Sequence, residues 1–427
     1  MIDLDQFMLP EHPGSESHVV ATYLLRSEAE DILKLAGTMA TEQTTGTWVR
    51  VPGETREMLL RHRGKVLSCW EIPDVENVNS RADGLREHVV QIAYPWENFG
   101  AQIPMLLTTA FGNISMIGDI KLIDLAFPKG LVEQLPGPRF GISGVRELLG
   151  APQRPLLNNM IKPSTGITPE QGADLLYSVA IGGADIIKDD EVLGDTPFSP
   201  VSKRVDLYMG KLRQAEMETG EKKLYAVNIT DEPERCIRKA EAAVQHGANA
   251  IMLNFLPAGF GLVSSLARNP RIDVPILGHL DFGGALYASS WHGVSSHLLY
   301  GKLARLAGLD LLTVPTPYGK FAMTYEKYMR IVIGLRSPLY DVRRTFPIAG
   351  GAVKQGHLPR LFENLGNDFI VGAGGAIYAH PMGPTAGAKA FRQAIELMMA
   401  QGGFDGAEND YPELKAAIEM WGIHGQE

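Results

Sequence analysis

The chain is poor in cysteine. Of its 427 residues only Cys69 and Cys236 are cysteines, far apart and outside any C-x-x-C spacing, so a disulfide framework and a thiolate metal site are both excluded. No uninterrupted apolar run reaches the roughly 20 residues that a membrane span needs. The opening MIDLDQFMLPEHPG has no basic stretch leading into an apolar core. Basic blocks are missing as well: the formal net charge is −9 and the pI is near 5.7, which speaks against a nucleic-acid partner. Low-complexity tracts are absent. These absences leave, as the expectation, a cytoplasmic protein in a reducing compartment whose partner is a small molecule, with no nucleic acid and no membrane. Hydrophobic residues make up 45%, and the length allows two domains with a sizeable core.

What is present is a regular beat from about residue 150 onward. Short apolar runs begin at Leu156, Asp185, Leu224, Ala250, Pro275, Leu311, Phe346 and Asp368, and most are separated by segments with helical spacing. After the first run, Thr168, Pro169 and Gln171 spell an N-cap, a proline at N1 and a capping-box partner, and Gly182-Gly183 ends the stripe. After the third, Asp231 is expected to open a helix that Gly247 closes. Eight strand–helix units predict an α/β protein whose C-terminal part is a (β/α)8 TIM barrel, because continuous apolar strands must be covered on both sides. An open doubly wound sheet is the alternative. Before residue 150 the texture changes: EAEDILKLAGTMATEQ reads as helix, KVLSCWEI and EHVVQIAYPW as strands. The expected layout is therefore a smaller N-terminal α+β domain of ferredoxin-like type over 1–147 and the barrel over 148–427, closed by helices in AKAFRQAIELMMAQGG and YPELKAAIEMWG.

In a barrel the chemistry belongs at the C-terminal ends of the strands. Those ends carry Lys162; Lys188 with Asp190 and Glu191; Asn228; Asn254; His279; Thr313 and Thr316; Gly350-Gly351; and Gly374-Gly375. Each alone has a modest explanation, since a strand-end Asn is usually a turn former and a charge run usually a solvated face. Converging on one mouth, they read as a site. In IIKDDE, alternation points Lys188 and Asp190 one way and Asp189 the other. Asp190 and Glu191 offer hard oxygen donors suited to Mg²⁺. An ammonium at Lys188 would repel that ion, yet a desolvated lysine can lose its proton and take up CO2 as a carbamate, a third oxygen donor. Gly351, Gly374 and Gly375, after the seventh and eighth strands, are candidates to bind phosphate through backbone N–H groups.

These motifs resemble the ribulose bisphosphate carboxylase large chains and their non-carboxylating relatives, the RuBisCO-like proteins, over nearly the whole chain. GGADIIKDDE is similar to the carbamylated-lysine and Mg²⁺ motif, and NMIKPSTGIT to the first-strand motif, in which Lys162 would be the lysine that moves protons. The resemblance places Lys320 at the mobile lysine after the sixth strand and His279 at the fifth-strand histidine. Glu42, Thr47 and Trp48 in ATEQTTGTW and Asn113 in FGNIS match segments that complete the site of a neighbouring subunit. It thus implies a homodimer with shared active sites, open to further assembly.

The chain also departs from the carboxylases. Ser164 stands where they carry a second lysine, Leu280 and Gly283 replace an arginine and a histidine, Thr313 replaces the histidine of the distal phosphate, and Ala349 replaces a serine. An extra residue lies between Gly375 and His380. Loss of the arginine and histidine removes charge-assisted bonds to a second phosphate, so ribulose bisphosphate carboxylation is not expected and a monophosphate is. Retained Lys320, which faces the forming carboxylate in the carboxylases, points to Mg²⁺-dependent decarboxylation of a branched 3-oxo sugar acid phosphate, of the 3-oxo-isoapionate 4-phosphate type. One alternative is an enolase, tautomerase or isomerase of a methylthio-sugar phosphate in methionine salvage, which an apolar pocket would favour. The other is a non-catalytic regulatory protein on the same scaffold.

Overall fold

A computed structural model describes residues 14–424 apart from 47, 48, 50, 75, 77–83 and 322. The N-terminal part is a sheet backed by helices. Strands β1 (His18–Ser27), β2 (Lys65–Ile72), β3 (Arg86–Pro95) and β4 (Ile120–Ala126) lie in the order β4-β1-β3-β2, all antiparallel. With helices Ile32–Glu42 and Ile103–Phe111 in the two crossovers, this is the expected ferredoxin-like order. Alternation explains the layering: Val19, Ala21, Tyr23 and Leu25 of β1 are buried with Met39 and Ala40 of the first helix and Leu106 and Ala110 of the second. The first helix starts where the Asp31 carboxylate accepts from the Lys34 N–H at 2.9 Å.

The eight apolar runs become strands of one closed parallel barrel: β5 (Leu156–Met160), β6 (Ile186–Lys188), β7 (Leu224–Asn228), β8 (Ala250–Asn254), β9 (Ile276–His279), β11 (Leu311–Pro315), β12 (Phe346–Gly350) and β13 (Ile370–Ala373). β13 pairs with β5 to close the ring, so no edge is left. The helix after β5, Pro169–Ile181, has the full capping box between Thr168 and Gln171. The helix after β7 differs from expectation. It is Pro233–Gln245 with Glu232 as its N-cap, because the Asp231 carboxylate is already engaged by the Glu232 N–H at 2.8 Å, Arg235 at 3.0 Å and Lys239 at 2.7 Å. Gly247 follows its end at φ 97°, a conformation that suits glycine.

The N-terminal end of the barrel is sealed. Ile142, Val145 and Leu149 of helix Gly141–Leu149 join Leu156, Ile186, Leu224, Leu277, Phe346 and Ile370 in one apolar cluster. Asp310 fastens this plug, its carboxylate accepting from the N–H groups of Phe140 at 2.6 Å, Gly141 at 2.9 Å and Ile276 at 2.9 Å. The sheet and the barrel are stitched together by β10 (Gly293–Val294), which leaves the barrel after β9 and pairs in parallel with Lys121 and Leu122 of β4.

Candidate active site

Strand β6 stops at Lys188, so Asp189, Asp190 and Glu191 form the first turn beyond it. The alternation read in the sequence persists through that turn. Asp189 faces the outer layer, where it is fully buried against Arg204 of helix Val201–Thr219 at 3.1 Å, the Tyr225 hydroxyl at 2.7 Å and the Asn228 N–H at 3.0 Å. Burial alone would lower the Arg204 pKa, but Asp189 outweighs it and holds the guanidinium above its ordinary value. Asp190 faces inward. Its carboxylate takes the Lys162 ammonium at 2.5 Å, and the same ammonium donates to Ser164 Oγ at 2.8 Å. Burial pushes the Asp190 carboxyl up, yet Lys162 more than offsets this and leaves it below the usual range.

Lys188 is the anomaly. Its side chain is fully buried, its ammonium donates to the Asp189 carbonyl at 2.8 Å, and the nearest carboxylate oxygen is Glu191 Oε2 at 3.6 Å. Burial drives its pKa down, against the pull of Glu191, Asp190 and Asp189. The shift is toward the neutral amine. Glu191 is shared: His279 Nε2 approaches its Oε2 at 3.3 Å while Nδ1 of the same ring lies 3.0 Å from Asp281 Oδ1. Asn228 and Asn254 do not reach into the mouth. Their side-chain amides donate to backbone carbonyls of Asp190 and Glu191 at 2.9–3.3 Å, so they hold the turn after β6 in place.

One cavity of about 420 Å³ opens at this mouth, and its walls include Lys162, Glu191, His279, Lys320, Gly351, Gly374 and Gly375. Lys188 and Asp190 lie just behind the wall, buried. A side chain at two of these glycines would press on its neighbours. A Cβ on Gly374 would stand 2.8 Å from Met160 Cγ and 3.3 Å from Lys162 Cε, and Gly351, at φ 98°, would drive one into the Phe321 ring at 2.6 Å. Lys320 projects from the turn after β11, its ammonium 5.2 Å over the Phe321 ring and its backbone N–H on the Gly351 carbonyl at 3.0 Å.

Sequence reasoning missed part of this wall. Met160, Phe321, Lys354 and Trp421 all line the cavity beside Leu280. Met160 was discoverable, since it ends β5 two residues before Lys162. Trp421 was not, because it arrives at the far end of helix Pro412–Trp421. Glu42 and Asn113 are absent from the mouth. They meet each other on the N-terminal part, Asn113 Nδ2 to Glu42 Oε1 at 3.4 Å, and line a separate cavity of about 430 Å³ with His62 and Asn98. Thr47 and Trp48 lie outside the described residues.

Comparison with known proteins agrees with this geometry. Residues 141–421 match the ribulose bisphosphate carboxylase large chain catalytic domain, and residues 6–131 match the N-terminal domain of the same large chain. The chain belongs to the ribulose bisphosphate carboxylase large-chain family. Within that family it is a RuBisCO-like, non-carboxylating protein. It is 45% identical to the ribulose bisphosphate carboxylase-like protein of Archaeoglobus fulgidus, over 96% of this chain and 95% of that one. It is 38% identical to the 2,3-diketo-5-methylthiopentyl-1-phosphate enolase of Geobacillus kaustophilus, over 95% of this chain and 98% of the other. Among solved structures, a rubisco-like protein from Alicyclobacillus acidocaldarius superposes with a TM-score of 0.88 at 34% identity, covering 95% of this chain and 100% of that one.

Proposed function

We propose that this enzyme enolises a phosphorylated diketone of the 2,3-diketo-5-methylthiopentyl-1-phosphate type, and that this reading replaces the decarboxylation favoured by sequence alone. The observation that carries it is the composition of the mouth cavity: a lysine poised to move a proton, a glycine rim, and an apolar stretch of Met160, Leu280, Phe321 and Trp421 suited to a methylthio end. The Geobacillus enolase, similar along nearly its whole length, acts on such a compound by name.

In this reading the phosphate rests on Gly351, Gly374 and Gly375, where the lack of side chains lets backbone N–H groups approach. Lys162, as its free amine, takes the proton from the carbon beside a carbonyl, and the ammonium so formed is the form that Asp190 and Ser164 hold. As that C–H bond breaks, its electron pair becomes the new C=C bond and the carbonyl oxygen gains a proton, for which His279, set between two carboxylates, is the donor. Asp190, Glu191 and Lys188 as its carbamate would hold Mg²⁺. The donor set fits that hard ion only with the carbamate, because among the described residues no group of three His, Cys, Asp or Glu side chains is placed to hold a metal. When bound, the ion supplies positive charge beside the developing oxyanion. Glu42 and Asn113, with Thr47 and Trp48, complete the site of a second copy in a homodimer, so that the N-terminal part lends these groups and the barrel receives them.

Decarboxylation of a branched 3-oxo sugar acid phosphate stays as the second reading on one observation. Lys320 stands at the cavity wall with no carboxylate partner among the described residues, as a group facing a substrate carboxylate would. NMR in D2O with Mg²⁺ and bicarbonate separates the two. Deuterium entering the diketone phosphate without CO2 release supports the enolase; CO2 from the oxo acid with no exchange into the diketone moves the assignment; silence on both substrates refutes both.

A further inference from the structure

On the N-terminal part, a groove of about 560 Å³ runs between helix Ile32–Glu42 and the start of β2. None of its residues lines the mouth cavity or the cavity beside Glu42 and Asn113. Its walls carry three cations, Lys34, Arg63 and Lys65, and no carboxylate. That is unexpected in a chain with 49 Asp and Glu against 40 Lys and Arg. Nearby, Arg61 does find an acid, Glu97 at 2.7 Å. The Lys65 ammonium instead donates to the carbonyls of Leu59 and Leu60, in helix Arg56–His62, both at 3.1 Å, which leaves one of its three N–H groups over. Burial first and the charge of Arg63 second pull the Lys65 pKa below its ordinary value. Like charges gathered around one concavity repel, and an anion between them would relieve the repulsion. The backbone gives the groove its shape. The Gly64 N–H donates to Thr44 Oγ1 at 3.0 Å, and a Cβ on Gly64 would stand 2.8 Å from the Ala40 carbonyl oxygen, so β2 starts hard against the helix. At Gly37 the opposite holds: a Cβ there would meet nothing within 4 Å. Thr38 and Thr41 spend their hydroxyl protons on the carbonyls of Lys34 at 3.0 Å and Gly37 at 2.8 Å, so the three cations are the donors that the groove offers.

We propose that this groove is a second binding site, separate from the barrel mouth, for a small anion of two or more negative charges, a phosphorylated or polycarboxylate metabolite. The Arg63 guanidinium grips it as a fork, and Lys34 and Lys65 hold it as point charges. The site stands independently of which reaction the mouth performs. Because the helix that walls the groove ends at Glu42, the bound anion steadies the segment that carries this residue.

The test must locate the anion, since a phosphate also suits the mouth. Hydrogen exchange of the full chain, read peptide by peptide by mass spectrometry, is measured with pyrophosphate, with citrate and with sodium chloride at the same ionic strength. Pyrophosphate or citrate slows exchange severalfold over residues 34–41 and 63–66, and chloride does not. Which of the two acts at the lower concentration tells phosphate from polycarboxylate. Arg63→Gln raises the concentration for half protection by about tenfold or more, the worth of one charge-assisted pair. Gly37→Gln, which keeps every cation and suits a helix, fills the open space and abolishes the protection. Neither variant alters any protection seen in the loops after β12 and β13. No slowing over the two segments, the same slowing with chloride, or equal slowing in wild type and both variants overturns the inference and leaves the reading of the mouth untouched.

Discussion

The two ends of the barrel are built from the same strands and treat polar groups in opposite ways. At the closed end each charge has a purpose-built partner: Asp310 collects backbone N–H groups from the plug, and Arg146 meets Asp368 at 2.8 Å and carbonyls of Ala151 and Arg154 at 2.7–2.8 Å. At the open end a lysine is buried 3.6 Å from the nearest carboxylate oxygen, and the Thr313 hydroxyl has no partner. The closed end is optimised for the folded chain alone. The open end buries charge that folding alone does not require, the pattern expected where a ligand binds.

That contrast can be broken by mutation, and the largest effect falls at the open end. Lys188→Met removes the carbamate donor and lowers kcat by about a thousandfold or more, while urea unfolding shows stability unchanged or raised, since a buried ammonium without a close carboxylate is a burden. A clear stability loss with activity retained would erase the contrast. Asp189→Ala, one residue on but facing outward, strands Arg204 in the interior and costs about 3–5 kcal/mol in the same unfolding measurement. Asp310→Ala leaves the plug's N–H groups unpaired and costs about 3 kcal/mol, with kcat per folded site unaltered. Gly374→Ala is the mildest. Its methyl presses on Met160 and the Lys162 stem, raising KM severalfold in steady-state kinetics at a stability cost of about 1 kcal/mol.

Much of the architecture was legible because its signals are local. Eight apolar runs, a capping box at Thr168 and glycines at turn positions follow from near-neighbour physics, and each falls where expected. The split between Asp189 and Asp190 was also readable, since strand alternation survives one residue past the last ladder bond. What Asp189 does was not, because its partner Arg204 comes from the next helix and a charge run reads alike whether it is solvated or paired. The two-residue strand β10 is too short to have a pattern, and its pairing with β4 depends on docking of the sheet against the barrel. The apolar side of the cavity is assembled from residues as distant as Met160 and Trp421, and this non-local surface is what favours enolisation over decarboxylation in the proposed reading.

The account turns on Lys188 as a fully buried lysine with only a distant carboxylate beside it. ¹³C NMR of the full chain equilibrated with ¹³C-bicarbonate and Mg²⁺ tests this directly. A carbamate carbonyl resonance that appears in wild type, strengthens with Mg²⁺ and is missing in Lys188→Met is the predicted result. A spectrum in which wild type and Lys188→Met are indistinguishable would contradict it and leave the buried lysine as a purely structural feature.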